Sequence, residues 1–503
     1  MAFLQSLKSC ADRFDKSLAL LLGAGVTLGF APFGLWPLAL LALAGLFALL
    51  QDKTAWRSLL LGWLFAIGHF VSGIYWIYIS THVFGGAPAV LAVVLLLALS
   101  AAYMAPWLAL AMGLATWLRL WTRAIGWLVV PALFMLAELA RGNLIFDGFA
   151  WLSLGDIALD TPLQRLAPLI GVHGISALLL VMAYALFQLM TASRPRRIVA
   201  LVVLLSSGAA ALLPQPQHWT QAAGEPLKVA IIQGNIPQHL KWQPEMDGPT
   251  LFRYRGMTLQ ARDADLIVWP EAPLTQTYDM LKDDYLDPLS RQLELTGATL
   301  LAGMLIEEPP SSQHYYNSVI GLGATKGRYD KHHLVPFGEY FPVPNWIRPF
   351  LDVLGTPYSD ISSAVTDREP FVVKGQRLGV VICFEDVFAD EFRRSAEGAA
   401  LIVSVTNDAW FGHSIAAAQH LAMARMRSLE SGRVTIRASN TGVSALIEAD
   451  GSLQAQAGFF TQETLRVSAQ PRSGRTPYAG WGDRPLWLVG ALLVLLALIR
   501  RRA

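Results

Sequence analysis

The sequence predicts a multi-pass α-helical membrane protein that carries an α/β domain on the extracytoplasmic side of the membrane. Three observations predict it. Apolar runs of spanning length crowd the first ~215 residues and recur once near the C-terminus. Clusters of Arg and Lys fall between those runs with a consistent sidedness. The long segment between the two apolar regions alternates short strand-like and helix-like stretches.

The apolar runs lie at 17–33, 36–51, 58–80, 88–117, 124–140, 163–190 and 197–213, with an eighth at 483–499. Each is near the ~20 residues a helix needs to cross the hydrocarbon layer. The second is short, and Pro32 and Pro37 separate it from the first, which leaves open a broken or tilted pair. The charges then set orientation. Lys8, Arg13 and Lys16 precede the first run, Lys53 and Arg57 follow the second, and Arg119 and Arg123 follow the fourth. Arg194, Arg196 and Arg197 follow the sixth, and Arg500, Arg501 and Arg502 follow the last. If all eight runs cross, these five clusters share one side, while the loop from Thr81 to Ala87 carries no Lys or Arg. The positive-inside rule therefore places both termini in the cytoplasm. The expected division is a helical bundle over 1–213, an outer domain over 214–482 and a final span with a short basic tail over 483–503. Arg141, Asp147, Asp156 and Asp160 follow the fifth run and read as a solvated or head-group-facing loop.

In the outer segment the strand-like runs are Leu227 to Ile236, Ala264 to Glu271, Ala298 to Ile306, Tyr315 to Leu322, Gly379 to Cys383, Ala400 to Asn407, Val434 to Asn440 and Ser444 to Ala449. Several are almost continuously apolar, as strands buried on both faces are. Pro249 to Asp263, Asp284 to Thr296 and Ser414 to Ser431 read as helices, which gives a layered α/β domain. The glycine-rich stretch Gly321 to Gly327 lacks the ending of a phosphate loop and reads as a hairpin turn.

Composition excludes several function classes. Hydrophobic residues make up 54% of the 503 and charged residues 15%, against about 25% charged in a soluble globular chain. A net charge of +2 and the lack of a basic run with interleaved aromatics give nucleic acid no footprint. Two cysteines, Cys10 and Cys383, cannot build a disulfide scaffold. Cys10 sits in a basic leader without the small residues of a lipoprotein cleavage site, so the N-terminus reads as an uncleaved first span.

Three polar residues stand where apolar strands or a turn end. Glu271 closes Leu266-Ile267-Val268-Trp269-Pro270, Lys331 follows Tyr329-Asp330, and Cys383 closes Gly379-Val380-Val381-Ile382. Sites in α/β layers form beyond the carboxyl ends of strands, and a thiol there beside a helix N-terminus is a candidate nucleophile. Singly, each has a bland reading: a buried inert thiol, a turn carboxylate, a solvated lysine. His332 and His333 have no second ligand set at metal spacing, so no metal is expected. His413 and His420 have no partner motif.

Taken together the contexts carry a resemblance. Trp269-Pro270-Glu271, Asp330-Lys331-His332-His333-Leu334-Val335-Pro336-Phe337-Gly338-Glu339 and Ile382-Cys383-Phe384-Glu385 resemble the three motifs of the nitrilase superfamily, whose domains are αββα sandwiches. With apolar spans on both sides, the chain is similar to that superfamily's membrane-embedded apolipoprotein N-acyltransferases over nearly its whole length. The resemblance implies an enzyme without cofactor in the bacterial inner membrane, a monomer whose catalytic domain faces the periplasm. It implies a phospholipid acyl donor, a diacylglyceryl apolipoprotein acceptor and a cysteine thioester between them. By it, Glu271 is the general base, Lys331 the cationic stabiliser and Cys383 the nucleophile, with Phe384 lending a backbone N–H. Phe384 stands where the family often has Tyr, which puts any hydroxyl role there in doubt. Glu339 would orient Lys331, or be a turn residue. Glu385 would cap the helix after Cys383 and shape the site, or be a plain first-turn carboxylate on the helix dipole. Trp242 would stand on a loop over the site, and Trp410 and Phe411 would line an acyl pocket or dip into the membrane, against ordinary packing for all three. Two alternatives remain: a membrane-anchored amidase or nitrile hydrolase with the same triad, and a non-enzymatic scaffold or transporter. Sparse charge within the spans counts against ion-coupled transport.

Overall fold

The structure, a computed structural model, describes residues 14–209, 219–309, 312, 314–340, 361–364 and 369–502; Cys10, Lys8 and Arg13 lie outside them. The chain divides into two compact units. One comprises Met1–Tyr78, Pro88–Pro214 and Trp481–Ala503; the other comprises Ile79–Ala87 and Gln215–Gly480.

The first unit is helical. Its apolar runs form Asp15–Thr27, Trp36–Leu50, Ala55–Gly73, Ala89–Leu97 with Ala105–Trp117, Gly126–Asn143, Ala167–Thr191, Arg194–Ser207 and Arg484–Arg502. Among the described residues, Ala89–Trp117 and Pro162–Thr191 are long and apolar enough to cross a membrane, and Ala55–Gly73 with Trp76–Phe84 adds a third if that bent pair is one span. Between Leu97 and Ala105 the backbone runs as a π-turn, Ala98–Met104. Pro106, just beyond, has no N–H to give to the helix ladder, which favours such a local rewinding. Small residues let two helices touch backbone to backbone. A Cβ on Gly23 would lie 1.9 Å from the Phe65 carbonyl oxygen, and one on Gly68 would lie 2.1 Å from that of Leu20. This close approach of Asp15–Thr27 and Ala55–Gly73 is the small-residue packing that serves helices where no hydrophobic drive separates them from lipid. Arg57 clamps Asp15 across it, at 3.1 and 2.6 Å. The expected solvated reading of Arg141 is wrong. It is 2% exposed and donates to the carbonyls of Phe149 and Trp151, both at 2.6 Å. A guanidinium with its donors spent on backbone carbonyls can be buried where a bare one could not.

The second unit is a two-sheet sandwich. Its strands are β1 (Thr220–Ala222), β2 (Leu227–Gln233), β3 (Leu266–Val268), β4 (Thr299–Glu307), β5 (Tyr315–Gly323), β6 (Gly327–Asp330), β7 (Phe371–Val373), β8 (Gln376–Ile382), β9 (Leu401–Thr406), β10 (Val434–Ser439), β11 (Ala445–Ile447), β12 (Leu453–Gln456), β13 (Glu463–Ala469) and β14 (Arg472–Gly474). One six-stranded sheet runs β13-β2-β3-β4-β5-β6, the other β12-β11-β10-β9-β8-β7, and β1 pairs with β14. At the heart of each sheet three strands are parallel: β2, β3 and β4 in one, β8, β9 and β10 in the other. Both faces of these strands are covered, which is why they read as unbroken apolar runs. Val229, Ile231, Val268 and Leu301 of the first sheet pack against Val380, Ile382, Val403 and Ile436 of the second. Outside the first sheet, Leu286, Leu289 and Leu293 close a second apolar layer with Ile232, Ile267 and Trp269. Outside the second sheet lie Phe392 and Ala396, and Ala424 of the helix Ala416–Ser431. Helix, sheet, sheet, helix is thus the order of layers.

The glycine-rich stretch is a hairpin, with β5 and β6 paired from Ser318↔Asp330 to Gly321↔Gly327. The expected strand ending at Glu271 is shorter: β3 stops at Val268, because the ladder cannot include the N–H that Pro270 lacks. Strands β1, β6, β7, β12, β13 and β14 were not expected. They are short or polar at sheet margins, so they lack the apolar runs that mark the centre. The segment Ile79–Ala87, expected as part of a span and its loop, groups with the sandwich, where the Ser80 hydroxyl donates to the Trp410 carbonyl at 2.8 Å.

Candidate active site

Glu271, Lys331 and Cys383 all lie past the ends of sandwich strands: Glu271 beyond β3, Lys331 directly after β6, Cys383 directly after β8. Lys331 is 1% exposed and Glu271 7%, while Cys383 is half-buried. The parallel strands of both sheets point their carboxyl ends the same way, so residues distant in sequence meet at one rim.

Lys331 holds two carboxylates. Its Nζ is 2.9 Å from Glu339 Oε1 and 3.5 Å from Glu271 Oε1. Asn317, on β5, donates from the same Nδ2 to Glu271 Oε1 at 2.7 Å and to Glu339 Oε1 at 2.9 Å. The second oxygen of Glu271 accepts the backbone N–H of Asn407 at 2.9 Å, and that of Glu339 accepts the N–H of Val335 at 2.8 Å. Each carboxylate is therefore fixed at both ends. Glu339 lies in a turn and closes the loop that carries Lys331 back onto the lysine itself. Burial alone would lower the Lys331 ammonium, but Glu339, Glu271 and Cys383 outweigh it and hold it above the ordinary lysine range.

Cys383 has φ of +51°, in the left-handed region that side chains other than glycine rarely adopt. This sharp turn from β8 into the short 3₁₀ segment Cys383–Val387 sets the sulfur at the mouth of the strand instead of in the sheet. Burial first, and the Glu271 carboxylate second, push the thiol well above its usual range, with Lys331 opposing them. Burial and the carboxylate together outweigh the lysine, and this favours the protonated sulfur.

Glu385 is fully buried and ties this turn to the Lys331 loop. Its Oε2 accepts the Ile382 N–H at 2.8 Å and the Tyr329 hydroxyl at 2.9 Å. Its Oε1 accepts the N–H groups of His332 at 2.7 Å and His333 at 3.2 Å. The plain helix-dipole reading does not account for four donors from two segments. Phe384 is buried and packs edge-on against Phe388 with ring centroids 4.9 Å apart.

The remaining candidates are more loosely placed. Trp242 is 55% exposed, with the Lys241 ammonium 5.7 Å from its ring centre. Trp410 is partly exposed, and the half-buried Phe411 meets the His420 ring at 6.2 Å. Sequence reasoning missed Asn317, whose only signal is an amide inside an apolar strand. It also missed a buried quartet below the site. His420 bridges Asp386 and Asp408, both at 2.7 Å, and Arg437 reaches the same pair at 2.7 and 3.2 Å. Burial would lower His420, yet the two aspartates raise it to about 9. Two carboxylates, an imidazolium and a guanidinium cancel, which is the condition for charges to sit in a core. No group of metal-ligating side chains occurs among the described residues.

This geometry can support attack by a thiol on a carbonyl. The Glu271 carboxylate and the Lys331 ammonium both act electrostatically on the Cys383 sulfur, and backbone amides hold both carboxylates. Comparison with known proteins gives a consistent result. Residues 22–185 match the family described as "Apolipoprotein N-acyltransferase N-terminal domain", and residues 213–478 match "Carbon-nitrogen hydrolase". The chain is similar to a protein named apolipoprotein N-acyltransferase in Methylococcus capsulatus, 39% identical over 97% of each chain. It is likewise similar to those so named in Nitrosomonas europaea, 40% identical, and Pseudomonas putida, 39% identical, each over 96% of both chains.

Proposed function

The chain belongs to the apolipoprotein N-acyltransferase family, and on that premise we propose that Cys383 carries a fatty acyl group from a phospholipid to the α-amine of a diacylglyceryl-cysteine apolipoprotein. The cycle needs one base that works twice. The Cys383 sulfur attacks the ester carbonyl of the donor as its proton passes to Glu271. The oxyanion of the tetrahedral adduct is held by the Lys331 ammonium and the Phe384 N–H. The adduct collapses, the C–O bond breaks, and Glu271 returns the proton to the departing lysophospholipid alkoxide. A thioester remains. The acceptor amine attacks it and gives its proton to Glu271. The C–S bond breaks, and the sulfur leaves with that proton as thiol. Glu339 and Asn317 position Lys331 and Glu271 and exchange no proton.

The observation that carries this reading is the fixed trio itself: a thiol on a left-handed turn, with Glu271 oriented by Asn317 and the Asn407 amide and paired to Lys331. Unperturbed, proton transfer from thiol to carboxylate spans about 4 pKa units, or roughly 5–6 kcal/mol. The transfer must therefore accompany bond formation instead of preceding it, which agrees with a thiol held above its usual range.

We further propose that the eight apolar runs cross the inner membrane, with both termini in the cytoplasm and 214–482 in the periplasm. The five basic clusters support this reading. A site seated at the membrane spares its substrates the cost of leaving lipid, about 0.8 kcal/mol for each CH₂ withdrawn. The test is direct. Protein incubated with phospholipid bearing a labelled acyl chain should gain a hydroxylamine-sensitive label. Cys383→Ala should lose it and Cys10→Ala should keep it. Label that survives loss of Cys383 would remove the proposed mechanism.

A further inference from the structure

The proposed cycle gives no task to one buried lysine that is tied to the site. Lys241 ends the short helix Gln238–Lys241 and is 3% exposed. Among the described residues its ammonium has no carboxylate at ion-pair distance. Its neighbours are the Trp242 ring at 5.7 Å and, through space, the Glu271 carboxylate. The helix is tied to the site, since Gln238 Oε1 accepts from Asn407 Nδ2 at 3.3 Å and the Asn407 N–H is the one that fixes Glu271. Burial pulls the Lys241 ammonium down to about 8, with Glu271 opposing, so at neutral pH it is still mostly charged.

A lysine so buried, with no carboxylate at ion-pair distance among the described residues, is costly, and an apolar side chain of similar length would fill the space without that cost. The charges around it suggest what compensates. Glu271 and Glu339 carry two negative charges and Lys331 one positive, which leaves the trio one negative overall. A phosphodiester entering such a site brings a second negative charge into poorly solvated surroundings, where like charges repel strongly. Lys241 brings the resting site to neutrality, so a bound phosphodiester leaves one net negative charge there instead of two. Lys331 is the cation assigned to the oxyanion at Cys383, and one ammonium also shared by two carboxylates does not take a second anion at the same time.

We propose that Lys241 is the anion-recognition residue of this site, its ammonium taking a phosphodiester oxygen of the glycerophospholipid donor and thereby seating the ester carbonyl at Cys383. The assignment rests on the phospholipid-donor reading above and names the group that selects the donor. It separates head-group recognition by Lys241 from oxyanion stabilisation by Lys331.

The experiment compares two donors with the same chains, dioleoyl phosphatidylglycerol and dioleoylglycerol, which lacks the phosphodiester. Full-length wild-type protein, Lys241→Met, Lys241→Gln and Lys241→Arg are each assayed in one detergent for the rate of Cys383 acylation. With the phospholipid, Lys241→Met and Lys241→Gln should lose roughly ten- to hundredfold in kcat/KM, mainly through KM, the range expected for one hydrogen bond to a charged group. With dioleoylglycerol the same variants should stay within about twofold of wild type, since no anion is there to recognise. Lys241→Arg should recover most of the phospholipid rate. Lys241→Gln keeps a polar stem, so a folding failure of Lys241→Met alone does not decide the matter. An equal fall with both donors, or no fall with the phospholipid, overturns the assignment while leaving acyl transfer through Cys383 intact. Absence of an adduct in wild type with either donor overturns the acyl-transfer reading as well.

Discussion

Replacing Glu385 by Gln changes one atom at the joint between the nucleophile turn and the lysine loop. The carboxylate accepts from Ile382 N–H, Tyr329 hydroxyl, His332 N–H and His333 N–H at 2.7 to 3.2 Å. Glutamine keeps the shape but turns one acceptor oxygen into an NH₂ donor. If that NH₂ faces His332 and His333, two backbone donors confront it. If it faces Ile382 and Tyr329, the Tyr329 hydroxyl can rotate and accept, and only the Ile382 N–H is stranded. The second orientation is the cheaper. A stranded buried N–H costs about 1–3 kcal/mol, and exchanging charged for neutral hydrogen bonds adds a further ~1–2 kcal/mol, giving roughly 2–5 kcal/mol. For a domain of this size each kcal/mol lowers the melting temperature by about 2–4 °C, so a fall near 10 °C is expected. The same change loosens Lys331 relative to Cys383, and a displacement of ~1 Å at a reacting centre costs about a hundredfold in rate. Thermal melting of the purified variant and the rate of its Cys383 acylation measure the two effects. A melting temperature within about 1 °C of wild type together with an unchanged acylation rate would refute the reasoning, since neither a lost acceptor nor a shifted loop would then exist.

Other substitutions and conditions have expected outcomes of their own. Asn317→Asp sets a third carboxylate against Glu271 and Glu339, which its amide now contacts at 2.7 and 2.9 Å. Acylation should fall about a hundredfold and its pH optimum should move upward, because added negative charge raises both carboxyl and thiol groups; a pH–rate profile checks it. His420, raised to about 9 in the fold from an ordinary 6.5, faces Asp386, Asp408 and Arg437. A raised base stabilises the fold fully below its unfolded value and loses that contribution as pH climbs through its folded value. Melting temperature should therefore drop between about pH 6.5 and 9, and His420→Asn should melt lower at pH 6.5 with a flatter slope. A variant with the wild-type slope would show that His420 is not the group titrating.

The layered α/β domain was legible because its central strands are parallel and doubly covered, so they appear as apolar runs bounded by turns. The margins were not, since β6, β7 and β13 owe their pairing to neighbours instead of to their own pattern. Gly327–Asp330 has Tyr329 as its one core side chain and is a strand only because β5 pairs with it. The trio stood out in sequence by position, each residue lying past an apolar strand or turn. Its supports did not. Asn317 looks like an interruption of a strand, and Asp386, Asp408, His420 and Arg437 lie on four separate segments that meet only in the fold. Arg141 shows the converse: a charge expected in a loop was read as solvated, and it ends a helix where backbone carbonyls of the following loop make burial possible.

The central claim, that Cys383 hands an acyl group to an amine and not to water, is tested most directly by a single-turnover chase. Enzyme carrying a labelled acyl group on Cys383 is separated from donor and mixed with a diacylglyceryl-cysteine peptide. Transfer predicts that the label leaves Cys383 and appears on the peptide amine as a hydroxylamine-resistant amide, at a rate that depends on peptide concentration. Label released as free fatty acid at one rate with or without peptide would contradict it and identify a hydrolase instead.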